Sequence, residues 1–198
     1  MANYQINTYV DTPFGQLHIY SDPQQSARAA KLLKDNPKIL TLAWKDAAER
    51  MGKEIVKVAR RCIDSGMPPK GASWPPLSPK YVEAMGGDDR IYYKTGQYYE
   101  NIGVWPDKVF YAGSGAYAYT RYFIGLKPGV EKWAARYRSN RKPLTLIQVA
   151  NILEFGSTRR HIPPRPLWRP IWQNSGGKER VKVFVRNAIK RQLIKYMI

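Results

Sequence analysis

The chain has 198 residues, 43% of them apolar, and carries 33 Lys and Arg against 15 Asp and Glu for a net charge of +18. That length suits one domain with an insertion, and the apolar and charged fractions are those of a globular protein. A lone cysteine, Cys62, excludes an internal disulfide framework and a thiolate zinc site; no run approaches the ~20 apolar residues of a bilayer span, and the opening MANYQINTYVDTPFG lacks the basic start and apolar stretch of a secretory signal, so a cytosolic site of synthesis is expected.

The charge is unevenly spread. Residues 1–126 hold 16 basic and 12 acidic side chains, whereas residues 127–198 hold 17 basic and 3 acidic, so the last third alone is net +14. Such a field attracts polyanions, here nucleic acid or the acidic face of a protein partner rather than a membrane.

Residues 4–20 alternate β-branched or aromatic residues with polar ones around Pro13, Phe14 and Gly15, the pattern of two short strands and a turn. Ser21 or Asp22 before Pro23 opens a short helix to about Lys34. After Asn36-Pro37 a longer one follows, with Leu40, Trp44, Ala47, Met51, Ile55, Val58 and Cys62 on one face, Lys45, Glu49, Lys53, Lys57 and Arg61 away from it, and an end near Asp64-Ser65-Gly66. Cys62 reads as a small core residue. The next stretch, MPPKGASWPPLSPKYVEAMGG, is a proline-rich loop anchored by Trp74, with a short helix from Ser78-Pro79 to Met85. Thr95-Gly96 marks a break before Gln97–Ile102. Three β-rich pieces, 103–105, 109–112 and 117–124, with Pro106-Asp107 and Gly113-Ser114-Gly115 as turns, then predict an antiparallel meander.

Residues 127–143 are bounded by prolines and read as an inserted basic arm carrying Lys132, Arg136, Arg138, Arg141 and Lys142. Leu144 to Phe155 should be helical, and Gly156 should end that helix in a left-handed conformation, since glycine has no Cβ to clash at positive φ. Pro163, Pro164 and Pro166 then hold Ile162 to Leu167 extended. Asn174 to Gly177 breaks the chain before a terminal helix, 178–196, with Val181, Phe184 or Val185, Ala188, Gln192 or Leu193 and Tyr196 as its apolar stripe. The expected fold is α+β within a single domain, residues 1–198: a small antiparallel sheet packed by a long amphipathic helix, with a C-terminal helix and the inserted basic arm.

Catalytic signals are absent. His18 and His161 stand far apart with no second ligand at zinc spacing, and there is no GxGxxG opening a helix, GxxxxGK[ST], GxSxG or HExxH. Nothing marks two carboxylates as neighbours, so no enzyme activity, metal or cofactor is expected. Arginines interleaved with Trp133, Tyr137, Trp168 and Trp172 suit phosphates and stacked bases, but they suit carboxylates of neighbouring subunits equally.

Three pieces together resemble the phage neck and tail-completion proteins that join capsid to tail, including those of Mu-like and other long-tailed phages. Trp74-Pro75-Pro76-Leu77-Ser78 with Tyr81 is similar to the family's GW-PPL-S segment. Tyr93-Lys94-Thr95-Gly96-Gln97-Tyr98 with Asn101-Ile102 looks like its TG step, with tyrosines for leucines. Leu153-Glu154-Phe155-Gly156 followed by Ile162-Pro163-Pro164-Arg165-Pro166-Leu167 is similar to its EFG…PxRP ending. The order and rough spacing match over residues 40–198; residues 1–35 and 125–145 have no counterpart. The resemblance implies a virion structural protein of the neck, without catalysis, in a homo-oligomeric ring of six or twelve copies around the DNA passage, next to adaptor, portal or tail proteins. Its expected partner or subunit contacts are Trp74, Pro76, Arg159, Arg160, Arg165, Leu167, Trp168, Arg169 and Trp172, with the 132–142 arm left for DNA or an acidic partner. A basic nucleic-acid-binding protein is the alternative.

Overall fold

Strand β1 (Ile6–Thr12) and strand β2 (Gly15–Ser21) pair antiparallel, from Ile6 opposite Ser21 to Thr12 opposite Gly15. Only two residues link them, the shortest common hairpin connection. A two-stranded hairpin is marginal alone, and helix α1 (Pro23–Asp35) lies against both strands. The structure, a computed structural model, describes residues 6–12, 15–21, 23–84, 86–87, 89–92, 96–112, 117–130 and 144–197. They fall into two compact units: residues 1–51, 106–121 and 179–198 in the first, and residues 52–105 and 122–178 in the second.

Helix α2 (Lys38–Ser65) opens after Asn36-Pro37 as the sequence predicts, and its 28 residues contribute to both units. In the first unit Ile39, Leu40, Ala43 and Ala47 of α2 join Ala29 and Leu33 of α1 and Val185, Ala188, Ile189 and Leu193 of the terminal helix in one apolar cluster. Alanines at the contact let backbones approach closely. Further along, the buried row continues through Ile55, Ala59 and Ile63, an i+4 ridge that winds around the helix. Val58, expected on the apolar face, is therefore 41% exposed, and Cys62 is only half-buried. Burial still pushes the Cys62 thiol up in pKa, against the opposing charge of Arg61.

Helices α3 (Pro79–Ala84) and α4 (Gln97–Glu100) follow the proline-rich loop, and Gly96 enters α4 at φ 70°. Strand β3 (Ile102–Ala112) then pairs with β4 (Tyr117–Leu126) across a four-residue link, too short for a parallel crossover. The expected meander is thus one hairpin: β3 runs straight through Pro106-Asp107. In a two-stranded sheet one side of each strand carries no ladder bonds, so a proline whose missing N–H falls there breaks none. Asp107 is instead a cross-strand partner, accepting from Arg121 Nε at 2.7 Å. In the second unit α2 packs on this hairpin through Gly52, where a Cβ would stand 2.5 Å from Val104 and 3.3 Å from Ile124.

Helix α5 (Leu146–Phe155) starts with a capping box: Thr145 Oγ1 accepts the Gln148 N–H at 3.2 Å, and Gln148 Oε1 accepts the Thr145 N–H at 2.9 Å. Helix α6 (Trp168–Asn174) and helix α7 (Gly177–Met197) complete the chain. On α7 the buried row is Val185, Ala188, Ile189, Gln192 and Leu193, while Tyr196 is exposed. The α+β class and the long and C-terminal helices are as expected. Residues 131–143 of the basic arm, with Lys132, Arg136, Arg138, Arg141 and Lys142, lie outside the described residues. No helix among the described residues is long and apolar enough to cross a membrane.

Candidate functional site

The end of α5 sets the site. At Gly156 φ is 76° but ψ is 179°, so the residue is not in the left-handed helical region expected; it adopts an extended positive-φ conformation open essentially to glycine alone. A Cβ there would lie 2.9 Å from the Ile162 carbonyl oxygen and 3.0 Å from the Pro164 nitrogen. Just beyond, Ser157 and Ile162 exchange backbone hydrogen bonds of 2.8 and 3.0 Å around a 3₁₀ turn, Thr158–Arg160, closed by His161 at φ 51°. This small loop brings the proline segment back onto α5, where the Arg165 N–H donates to the Leu153 carbonyl at 2.6 Å.

Held there, Arg165 reaches the proline-rich loop. Its Nε donates to the Pro75 carbonyl at 2.7 Å and Nη2 to the Pro76 carbonyl at 2.9 Å, and the residue is only 5% exposed. The planar guanidinium suits two parallel acceptors in a way an ammonium would not. Burial pulls the Arg165 pKa below its ordinary value, against the raising influence of Tyr92 and Tyr81. The Trp74 indole N–H returns the contact, donating to the Pro166 carbonyl at 2.8 Å, and the Tyr92 hydroxyl donates to the Arg165 carbonyl. Trp74, Tyr92 and Tyr98 form a chain of tilted rings with centroids 5.3 and 4.9 Å apart.

Glu154 ties the start of α6 to α5. Leu167, at the N-cap position, has no oxygen to offer. The Glu154 carboxylate does the capping: Oε2 accepts the Leu167 and Trp168 N–H groups at 2.8 and 3.0 Å, and Oε1 accepts Arg169 N–H at 2.9 Å. The Trp168 indole donates to the Tyr98 hydroxyl at 3.0 Å. Burial pushes both tyrosine hydroxyls far up in pKa, aided at each by the Glu154 charge, so both stay protonated.

The chain matches no protein-family model, curated protein or solved structure. Its own geometry is what sorts the expected contact residues. Trp74, Pro76, Arg165, Leu167 and Trp168 come together, but with one another: Leu167 is 0% exposed, and the Arg165 guanidinium is engaged inside the subunit. The Arg165 guanidinium, expected at a partner contact, is held in this subunit by the Pro75 and Pro76 carbonyls, and the Leu167 side chain, expected likewise, is packed away from solvent. Arg159, Arg169 and Trp172 remain exposed, and the Arg160 backbone lies in the 3₁₀ turn. Beside them Phe155 is 61% exposed, with the Arg169 guanidinium 4.9 Å above its ring. Glu154, Phe155, Tyr92 and Tyr98 are the members that sequence reasoning did not assign. The signal for Glu154 was the uncapped start of α6 after Pro166. Among the described residues no group of three or more His, Cys, Asp or Glu could hold a metal ion.

Proposed function

We propose that the chain is a structural virion protein of the phage neck: a non-catalytic ring component, of the neck or tail-completion kind, connecting the capsid portal or adaptor to the tail around the DNA passage. The observation that carries this reading is convergence. Three sequence pieces that resemble the family, far apart along the chain, meet in one hydrogen-bonded cluster through Trp74–Pro76, Tyr98 and Glu154–Leu167. That the three pieces share one site supports reading them as a set. The cluster also leaves Phe155, Arg169 and Trp172 outward, the aromatic and arginine composition that carries interface energy. In a ring each subunit meets its neighbour through two different faces, so such a patch becomes an interface.

The test is the mass of the purified protein by light scattering without DNA, alone and with the neighbouring neck proteins, at low and high salt. A closed ring of six or twelve copies, lost in a Phe155→Ser/Trp172→Ala variant whose circular dichroism is unchanged, is the expected result. A monomer or dimer under all of these conditions would replace the ring with the simpler basic nucleic-acid-binding protein.

A further inference from the structure

Elsewhere in the second unit, the last turns of α2 and the start of β3 line an open groove of about 900 Å³. Lys53, Lys57, Arg60 and Arg61 all line it, over a floor that includes Ile102 and Val104. Asp64 is the acidic member of the lining, and its carboxylate already accepts the Tyr99 hydroxyl at 3.0 Å. Arg60 is the fixed point: Nη2 donates to the Ile102 carbonyl at 2.9 Å, and the guanidinium lies 5.2 Å above the Tyr99 ring. Its Nε–H is buried and meets no acceptor among the described residues. An unmet buried donor is costly, but with Nε closed off the charge that Arg60 offers to the groove is that of the rest of its guanidinium.

We propose that this groove binds the phosphate backbone of nucleic acid. From Lys53 to Arg61 the helix rises about 12 Å, enough to meet about three phosphates of one strand. A planar guanidinium anchored on one side and stacked on a ring is pre-organised for a phosphate oxygen. A second copy of this chain is a poor occupant, because its longest acidic run is the pair Asp88-Asp89. The net charge of +18 adds an attraction that only a long polyanion collects in full. The proposal uses no residue of the 132–142 arm and does not depend on ring assembly.

The test compares two variants of the full chain. Lys57→Ala/Arg61→Ala removes two exposed groove cations and places a good helix former at each position; Lys178→Ala/Lys190→Ala removes two exposed cations from α7. Binding of labelled DNA of roughly 20 nucleotides, single-stranded and duplex, is followed by anisotropy across a salt series. Losing two phosphate contacts should flatten the log–log salt slope by about 1.8 for duplex and about 1.4 for single-stranded DNA, and weaken binding near 0.15 M salt about thirtyfold and about fourteenfold respectively. The α7 variant should bind within about twofold of the parent by the same relation. Equal losses in both variants, or none in the groove variant, would overturn the proposal. So would tighter binding of poly-glutamate than of DNA that is lost in the groove variant, which would hand the groove to an acidic protein. Light scattering of the same samples reports ring formation separately, so failure of the groove and failure of the ring are told apart.

Discussion

Around Ala43 and Ala188 the first unit is held by area: aliphatic side chains from α1, α2 and α7 close on one another, with Asp46, Arg50 and Arg191 forming an ion cluster at 2.5–2.6 Å. Around Arg165 the second unit is held by direction: a guanidinium on two prolyl carbonyls, a carboxylate on three amides, and two indole N–H groups on a carbonyl and a phenol. The difference follows from local composition. A segment with three prolines has no helix or sheet ladder to join, so its carbonyls need side-chain donors. Aliphatic packing tolerates replacement by a similar volume, whereas a fixed fork of donors does not.

The largest effect that would break this contrast belongs to Arg165. Arg165→Ala should cost about 3–5 kcal/mol in urea unfolding, by losing two charge-assisted bonds to the Pro75 and Pro76 carbonyls. Arg165→Lys should recover less than half of that. In the first unit, Ile39→Leu at an equally buried site should cost less than about 1.5 kcal/mol; equal costs for Arg165→Lys and Ile39→Leu would erase the distinction. Gly156→Ala comes next, at about 2–3 kcal/mol, because the added methyl meets the Ile162 carbonyl and the backbone is strained for any L side chain. Glu154→Gln should cost about 2 kcal/mol: it removes the charge at the start of α6 and leaves one acceptor oxygen for three amides.

Titration separates the two regions by sign. Tyr92 and Tyr98 have hydroxyls raised above the ordinary value of 10.0 by burial, so above pH 10 the unfolded chain releases protons that the fold retains. Stability should therefore fall as pH rises past 10, by about 1.4 kcal/mol per pH unit for each tyrosine, and Tyr98→Phe should reduce that slope. Asp46 runs the other way. Burial would raise its carboxyl, but hydrogen bonds and charge from Arg50 and Arg191 outweigh it and hold the pKa below 3.8. Its contribution is present above pH 3.8 and is lost as acid titrates the folded carboxylate. Because the site is partly exposed, Asp46→Asn should cost less than about 1 kcal/mol at neutral pH and flatten the acid limb.

Much of the secondary structure was legible. Pro23 and Asn36-Pro37 announced α1 and α2, and alternation announced the strands on either side of Pro13. The ridge that carries burial from Val58 to Ala59 and Ile63 was not, because a one-residue choice between i+3 and i+4 steps depends on which neighbour the helix meets. Nor was the passage of β3 through Pro106, since a proline forbids a strand only where its N–H is needed. At the candidate site the glycine after Phe155 and the stiff proline segment were readable. The inward capture of Arg165 was not, because its acceptors lie about ninety residues earlier in the chain.

By itself the sequence determined where the helices other than α6 start and stop, where glycine must stand and how much positive charge the chain carries. These are short-range matters of φ, capping oxygens and composition. Tertiary structure decided what each cation faces. Arg165 is closed inside on proline carbonyls, Arg169 is left over an exposed phenyl ring, and Arg60 lines a groove with a donor unmet. A charged side chain takes its role from the oxygen it can reach, and that is set by the fold around it.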